Sequence, residues 1–246
     1  MNIAILTSNQ PRHAAFINVL RRKINPKMIV IEEKMKSDFY SSEETFFSSI
    51  NTGKTFESVS VEKGKINTKN IRDKISDANI DMCLVFGTSL LKSETINIPK
   101  YGCLNIHTGL VQGYRGVDSP WWAIYNSEPE MIGITIHQVT AGIDDGKVIL
   151  QARTKLSKED TIESIFFKTC KLGFDCLADN IEKIMNFDYE STSVTKGNLY
   201  QHKNMSEEIK MSIDANIHSI ISHYLDNENK INLEKNKTYG DFKWKL

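Results

Sequence analysis

Short apolar runs alternate with polar stretches of helical spacing through the first half of the chain. Asn2 to Thr7 contains Ile3-Ala4-Ile5-Leu6 without a polar interruption, the mark of a strand buried on both faces. Pro11 to Lys23 reads as a helix. Phe16, Ile17, Val19 and Leu20 fall to one side, and Arg21-Arg22-Lys23 sit in the last turn, where cations suit the helix dipole. Met28 to Glu32 predicts a second strand. Residues 34 to 51, with Phe39, Tyr40, Phe46 and Phe47 among serines and acids, predict a helix or helical loop whose aromatics either join the core or line a cleft. Ser58 to Val61 predicts a short strand, and Asn67 to Ser76 a helix with Ile71 and Ile75 one turn apart. Asp81 to Phe86 is another continuous apolar strand, and Leu90 to Ile96 a helical turn. This alternation predicts an α/β fold: an open, mostly parallel Rossmann-like sheet with helices on both faces.

The second half continues with strands at Cys103 to Ile106, Ile132 to Val139 and Lys147 to Leu156. Ser119 to Asn126 predicts a helix capped by Asp118 or Ser119, with Pro120 at its first position. From Thr161 to Met185, apolar residues recur at three and four, as in a long amphipathic helix. After Asn186 the pattern weakens to a turn and short strand at 197–201, a helix at 206–225, and a polar, Lys- and Asn-rich stretch at 226–246. The expected division is a main domain at 1–188 and a small C-terminal subdomain or tail at 189–246, serving dimerisation or substrate binding.

Composition narrows the classes. Lysine and arginine together number 31, as do aspartate and glutamate, so the formal charge is zero. A long nucleic acid usually demands a basic excess, and none is expected as a partner. No apolar run reaches membrane-spanning length, and the opening MNIAILTSNQPRH lacks the charged region of a signal peptide. The four cysteines, Cys83, Cys103, Cys170 and Cys176, form no Cys-x-x-Cys pair and have no histidine at metal spacing. They read as reduced thiols in a cytoplasmic protein without a metal. The turn Ser8-Asn9-Gln10 has none of the glycines that a dinucleotide-binding turn requires.

Candidate chemistry concentrates between Gly102 and Gln151. Asn105 and His107 alternate on one strand and therefore face the same side, at a strand end where ligands of such sheets bind. Gly142-Ile143-Asp144-Asp145-Gly146 forms an acidic turn bounded by glycines. Singly, each residue has an ordinary reading as a turn or structural residue. Together, an amide can donate to a developing oxyanion, an imidazole can donate or move a proton, and a carboxylate can orient that imidazole. No activated Ser, Cys or Lys stands within the motif, so the nucleophile is expected to come from the substrate, and an amine fits.

Asn105-x-His107, Gly109-Leu110, Tyr114-Arg115-Gly116, Gly133-x-Thr135-x-His137 and Ile143-Asp144-x-Gly146, in this order, resemble the signature of the 10-formyltetrahydrofolate-dependent formyltransferases. The resemblance spans about residues 80 to 152. It departs where the family's Ser-Leu-Leu-Pro becomes Gly109-Leu110-Val111-Gln112. It implies that Asn105, His107 and Asp144 are catalytic and that 10-formyltetrahydrofolate is the co-substrate. The folate would be held by Phe86, Gly87, Thr88 and Leu90 in one loop, and by Val139, Thr140, Ala141, Gly142 and Ile143 in another. Thr108, Gly109, Tyr114, Arg115, Gly116 and Tyr200 would meet the acceptor. The glycine-free first turn is unlike the purine enzyme of the family, and the short C-terminal part and neutral charge are unlike the tRNA enzyme. Most similar are the sugar N-formyltransferases, which act on nucleotide-linked amino sugars of bacterial surface polysaccharides and often pair as dimers. Methionyl-tRNA or another amine as acceptor, or hydrolysis of the formyl-folate, are the alternatives.

Overall fold

The computed structural model describes residues 1–34, 42–51 and 56–239; Phe39 and Tyr40 lie outside them. Nine strands and seven helices follow one another along the described residues. A seven-stranded sheet has the order β3-β2-β1-β4-β5-β7-β8, and β6 with β9 makes a separate two-stranded one. The chain divides into two compact units.

The first unit comprises residues 1–106, 138–142 and 174–190. Its strands β1 (Ile3–Ser8), β2 (Met28–Glu33), β3 (Val59–Glu62), β4 (Met82–Val85) and β5 (Cys103–His107, whose last residue belongs to the second unit) are all parallel. Every residue of β1 is buried, as an apolar run covered on both faces requires. The helices α1 (Pro11–Arg21), α2 (Glu43–Phe47), α3 (Lys69–Asp77) and α4 (Ser93–Ile96) alternate with these strands. Ile71 and Ile75 are both fully buried in the core that Leu6, Val30 and Val85 share. Phe47 is buried too, and its ring centroid lies 6.3 Å from that of Phe174.

The second unit comprises residues 107–137, 143–173 and 191–246. It holds β6 (Tyr114–Gly116), α5 (Ser119–Tyr125), β7 (Gly133–Gln138, except its last residue), β8 (Val148–Arg153), β9 (Asn198–Tyr200) and α7 (Glu207–Tyr239). The helix α6 (Ile162–Met185) gives its first half to this unit and its second to the other. Strands β7 and β8 are antiparallel. The predicted helix at 206–225 runs on to Tyr239, so the polar stretch expected after Leu225 is largely helical. Its apolar residues Ile213, Ile217, Ile221 and Tyr224 are buried. Beyond them, polar side chains find partners: Lys235 reaches Glu128 at 2.6 Å and Glu130 at 3.2 Å, and Asn236 accepts from Arg153 at 3.2 Å. Among the described residues no helix is long and apolar enough to cross a membrane, and no cluster suited to a metal ion is found.

Candidate active site

His107 is the last residue of β5, and its side chain is 5% exposed. Asp144 lies in the turn between β7 and β8 with φ +45°, a left-handed conformation that aspartate tolerates better than most residues. The turn brings Asp144 Oδ2 to 3.2 Å from His107 Nδ1. The other oxygen, Oδ1, lies 3.2 Å from Nε2 of His137. The β7–β8 register slips between Ile136 and His137, the kind of bulge that re-aims a side chain. The backbone N–H of Gly116 donates to Asp144 Oδ2 at 2.9 Å.

The far nitrogen of His107 is also occupied. Its Nε2 is 2.9 Å from the carbonyl oxygen of Tyr114 and 3.3 Å from Ser119 Oγ. A neutral imidazole carries a single N–H, yet here the carboxylate of Asp144 and the carbonyl of Tyr114 both ask for one. Burial works the other way and is the stronger influence, lowering the His107 pKa below 6.5 against the pull of Asp144 and the Tyr114 carbonyl. The ring is therefore neutral near pH 7, with a proton that two acceptors compete for. For Asp144, burial pushes the pKa up, but His107, His137 and the Gly116 N–H together outweigh it and hold the carboxyl at about 2. A half-buried, ionised carboxylate against a neutral imidazole can accept a proton from an incoming amine through that imidazole or beside it.

The loop after His107 is fastened by amides. Gln112 and Gln151 exchange two side-chain hydrogen bonds of 2.8 Å. Gln151 also donates to Thr135 Oγ1 at 2.9 Å, and Thr135 donates to the carbonyl of Gly109 at 2.7 Å. This is what replaces the proline expected at position 112: a buried amide pair fixes the loop in place of a stiff ring. The other departure, Gly109 for serine, is equally local. A Cβ at Gly109 would stand 2.6 Å from His107 Nε2 and 2.7 Å from Ser119 Oγ, so the Ser119 hydroxyl occupies that space.

The remaining predicted residues fall as follows. Asn105 is half-buried on β5, two residues before His107, and pairs in register with Val85. In the first unit, Phe86 is buried, Gly87 is exposed with φ +70°, Thr88 is half-buried and Leu90 is 66% exposed. Val139 donates its N–H to the Cys103 carbonyl, and Thr140, Ala141 and Gly142 are exposed. Ile143, half-buried, opens the second unit's turn. Thr108 is half-buried. Tyr114 is 1% exposed; its hydroxyl donates to Glu128 at 2.6 Å, and its ring stacks on Tyr200 at 5.5 Å. Tyr200 stacks on Trp122 as well, at 4.6 Å. Arg115 donates to the carbonyls of Gly197 and Ile143.

The sequence alone singles out no chemistry at His137, Ser119, Glu32 or His13. Buried Glu32 accepts the N–H groups of Gly64 and Ser89 at 2.7 and 2.6 Å and so holds the Gly87–Leu90 loop. His13 is 2% exposed and accepts the Gln10 N–H at 3.1 Å. A Cβ on Gly87 would come to 2.2 Å from its Nε2. The signals were present, an acid in an apolar strand and a histidine on a helix face, but neither spacing distinguishes structure from function.

Comparison with known proteins adds to this geometry. Residues 1–181 match the family model described as formyl transferase. A methionyl-tRNA formyltransferase of Ehrlichia ruminantium is 34% identical over 116 residues, covering 47% of this chain and 38% of that protein. The chain thus spans under half of the length of such curated relatives. Among solved structures, a sugar N-formyltransferase from a Shewanella species superimposes with a TM-score of 0.62 at 18% identity, covering 87% of each chain. An N-formyltransferase from Helicobacter canadensis, in complex with folinic acid and dTDP-3-aminofucose, gives 0.54 at 17% identity over 84% of this chain and 73% of that one. Both share the α/β fold with its mostly parallel sheet.

Proposed function

This chain belongs to the formyl transferase family, and from that premise we propose that it transfers a formyl group from 10-formyltetrahydrofolate to the primary amine of a nucleotide-linked amino sugar. The observation that carries the reading is the half-buried carboxylate of Asp144, 3.2 Å from His107 Nδ1 and braced by His137 and the Gly116 N–H. Asn105 donates to the formyl oxygen as negative charge develops on it, and His107 does so with the single N–H that the Tyr114 carbonyl otherwise accepts. Asp144, ionised above a pKa of about 2, orients the imidazole and receives the proton that the attacking amine must lose.

The folate supplies the formyl group. Phe86–Leu90 and Val139–Gly142 suit it: both loops leave backbone open, and Leu90, apolar and 66% exposed, offers a face to a flat ring. Preference for a sugar acceptor is supported by the Shewanella and Helicobacter structures, which match this chain over 87% and 84% of its length. The neutral total charge and the glycine-free turn at Ser8–Gln10 fit the same reading. On it, the protein works in the cytoplasm, on precursors of surface polysaccharides.

One observation favours a second reading. The curated relative at 34% identity is a methionyl-tRNA formyltransferase, which makes methionyl-tRNA the rival acceptor. The full chain is incubated with 10-formyltetrahydrofolate and, separately, with dTDP-linked 3-amino and 4-amino sugars, with methionyl-tRNA, and with no acceptor. Release of tetrahydrofolate and the mass of the product are followed. Turnover with an amino sugar is expected. Turnover with methionyl-tRNA alone selects the rival, acceptor-independent formate release indicates hydrolysis, and no folate turnover in any arm sinks the proposal.

A further inference from the structure

The family match ends at residue 181, yet the segment Thr192–Tyr200 lies against the turn that carries Asp144. Thr192 and Val148 exchange backbone hydrogen bonds of 2.8 and 2.9 Å just past that turn. Lys196 Nζ stands 3.4 Å from Asp145 Oδ2. The N–H of Gly197 donates to Val111 at 2.8 Å, and that of Asn198 to Gly113 at 3.1 Å. Strand β9 then pairs with β6 in parallel, Arg115 opposite Leu199 and Gly116 opposite Tyr200. Gly116 is the residue whose N–H holds Asp144 Oδ2.

Arg115 ties these parts together. Its Nε donates to the Gly197 carbonyl at 3.0 Å, and its Nη1 to the carbonyl of Ile143, the residue before Asp144, at 3.3 Å. A planar guanidinium can address two carbonyls in fixed directions at once, whereas a lysine ammonium is a single point on a flexible stem. We propose that the segment Thr192–Tyr200 frames the catalytic centre and that Arg115 is a positioning residue coupling this segment to Asp144. The inference rests on the proposed role of Asp144 and extends it to a stretch outside the matched family region. A left-handed backbone at Asp144, φ +45°, needs surroundings that over-determine it, and this bracing supplies them.

Two variants of the full chain test the coupling. Arg115→Lys keeps the charge and removes the two-carbonyl fork. Gly197→Ala leaves Arg115 intact, but its Cβ would meet the Gly113 carbonyl carbon at 2.3 Å, forcing β9 off β6. Displacement of reacting groups by about 1 Å can lower turnover about a hundredfold; kcat is expected to fall on that scale, with KM for 10-formyltetrahydrofolate held within about twofold. Independently of turnover, the His107 imidazole is titrated by NMR without substrate. The groups that face it are Asp144, His137, Arg115, Ser119 Oγ and the Tyr114 carbonyl. Asp144 alone among the charged ones raises its pKa, and both variants conserve charge, so a receding carboxylate lowers the titration midpoint. A lowered midpoint in both, with near-native melting, supports the proposal. Wild-type titration in both variants overturns it, even if wild-type protein turns over no acceptor and the functional reading fails separately.

Discussion

His137 Nε2 lies 3.2 Å from Asp144 Oδ1, and His107 Nδ1 lies 3.2 Å from the other oxygen, Oδ2. The contact engages one oxygen, so the other stays with Nδ1. Replacing the donor should loosen the carboxylate without removing it. His137→Phe is therefore expected to lower kcat by about ten- to a hundredfold, and His137→Gln, which keeps a donor, by less. Asp144→Asn, which loses the proton acceptor itself, should cost about a thousandfold or more. Steady-state rates of tetrahydrofolate release give the order. Equal losses for His137→Phe and Asp144→Asn would put His137 in the chemistry rather than beside it.

Acid stability should report the same carboxylate. Its pKa is about 2 in the folded chain against 3.8 for a free aspartate, so the unfolded state binds more protons between those values. The associated stability is present above pH 3.8 and is lost as pH falls through about 2. A shift of this size corresponds to about 2 kcal/mol. Urea unfolding midpoints of wild type and Asp144→Asn between pH 5 and pH 2 should converge as acid is added. Parallel curves would show that the carboxyl is not held ionised.

Much of this was legible beforehand, and the exceptions have physical reasons. The buried strands announced themselves as uninterrupted apolar runs, Ile3–Leu6 and Met82–Val85, because a strand covered on both faces has no polar side to show. The meeting of His107 with Asp144 was legible as a pattern, a strand end followed by an acidic turn. Strand β6 was not: three residues in a glycine- and aromatic-rich loop carry no period, and they pair with β9 far along the chain. The links from Arg115 to Gly197 and from His137 to Asp144 are likewise tertiary; local propensity does not encode them. The second half of α7 hid for the opposite reason. Its composition is mostly polar, and Lys235 and Asn236 meet partners that only the fold supplies.

The amide pair makes a prediction about stability that activity would not reveal. Gln112 and Gln151 are 5% and 4% exposed, and each amide satisfies the other. Gln112→Leu leaves the buried Gln151 Oε1 without its donor and the amide with Thr135 Oγ1 alone, at a cost of about 1–3 kcal/mol. Replacing both, Gln112→Leu with Gln151→Met, removes the orphan and should recover part of that loss, a coupling that urea denaturation of the double-mutant cycle measures. Additive losses would mean that the two side chains act independently.

Gly109 is the position where the smallest change should do most to the site. A Cβ there would stand 2.6 Å from His107 Nε2, 2.7 Å from Ser119 Cβ and 2.7 Å from Ser119 Oγ. Ser119 is 2% exposed on the first turn of α5, and His107 is tied at both nitrogens, so neither yields cheaply. The space permits one Cβ and its hydroxyl, and Ser119 already fills it. Gly109→Ala should therefore displace the imidazole and cut turnover about a hundredfold, while Ser119→Gly, which vacates the space, should cost far less. The decisive comparison is the double variant Gly109→Ala with Ser119→Gly: if crowding between the two positions is the cause, it recovers activity over Gly109→Ala alone. A double variant no better than Gly109→Ala would place the damage in the loop backbone, away from the contact with Ser119.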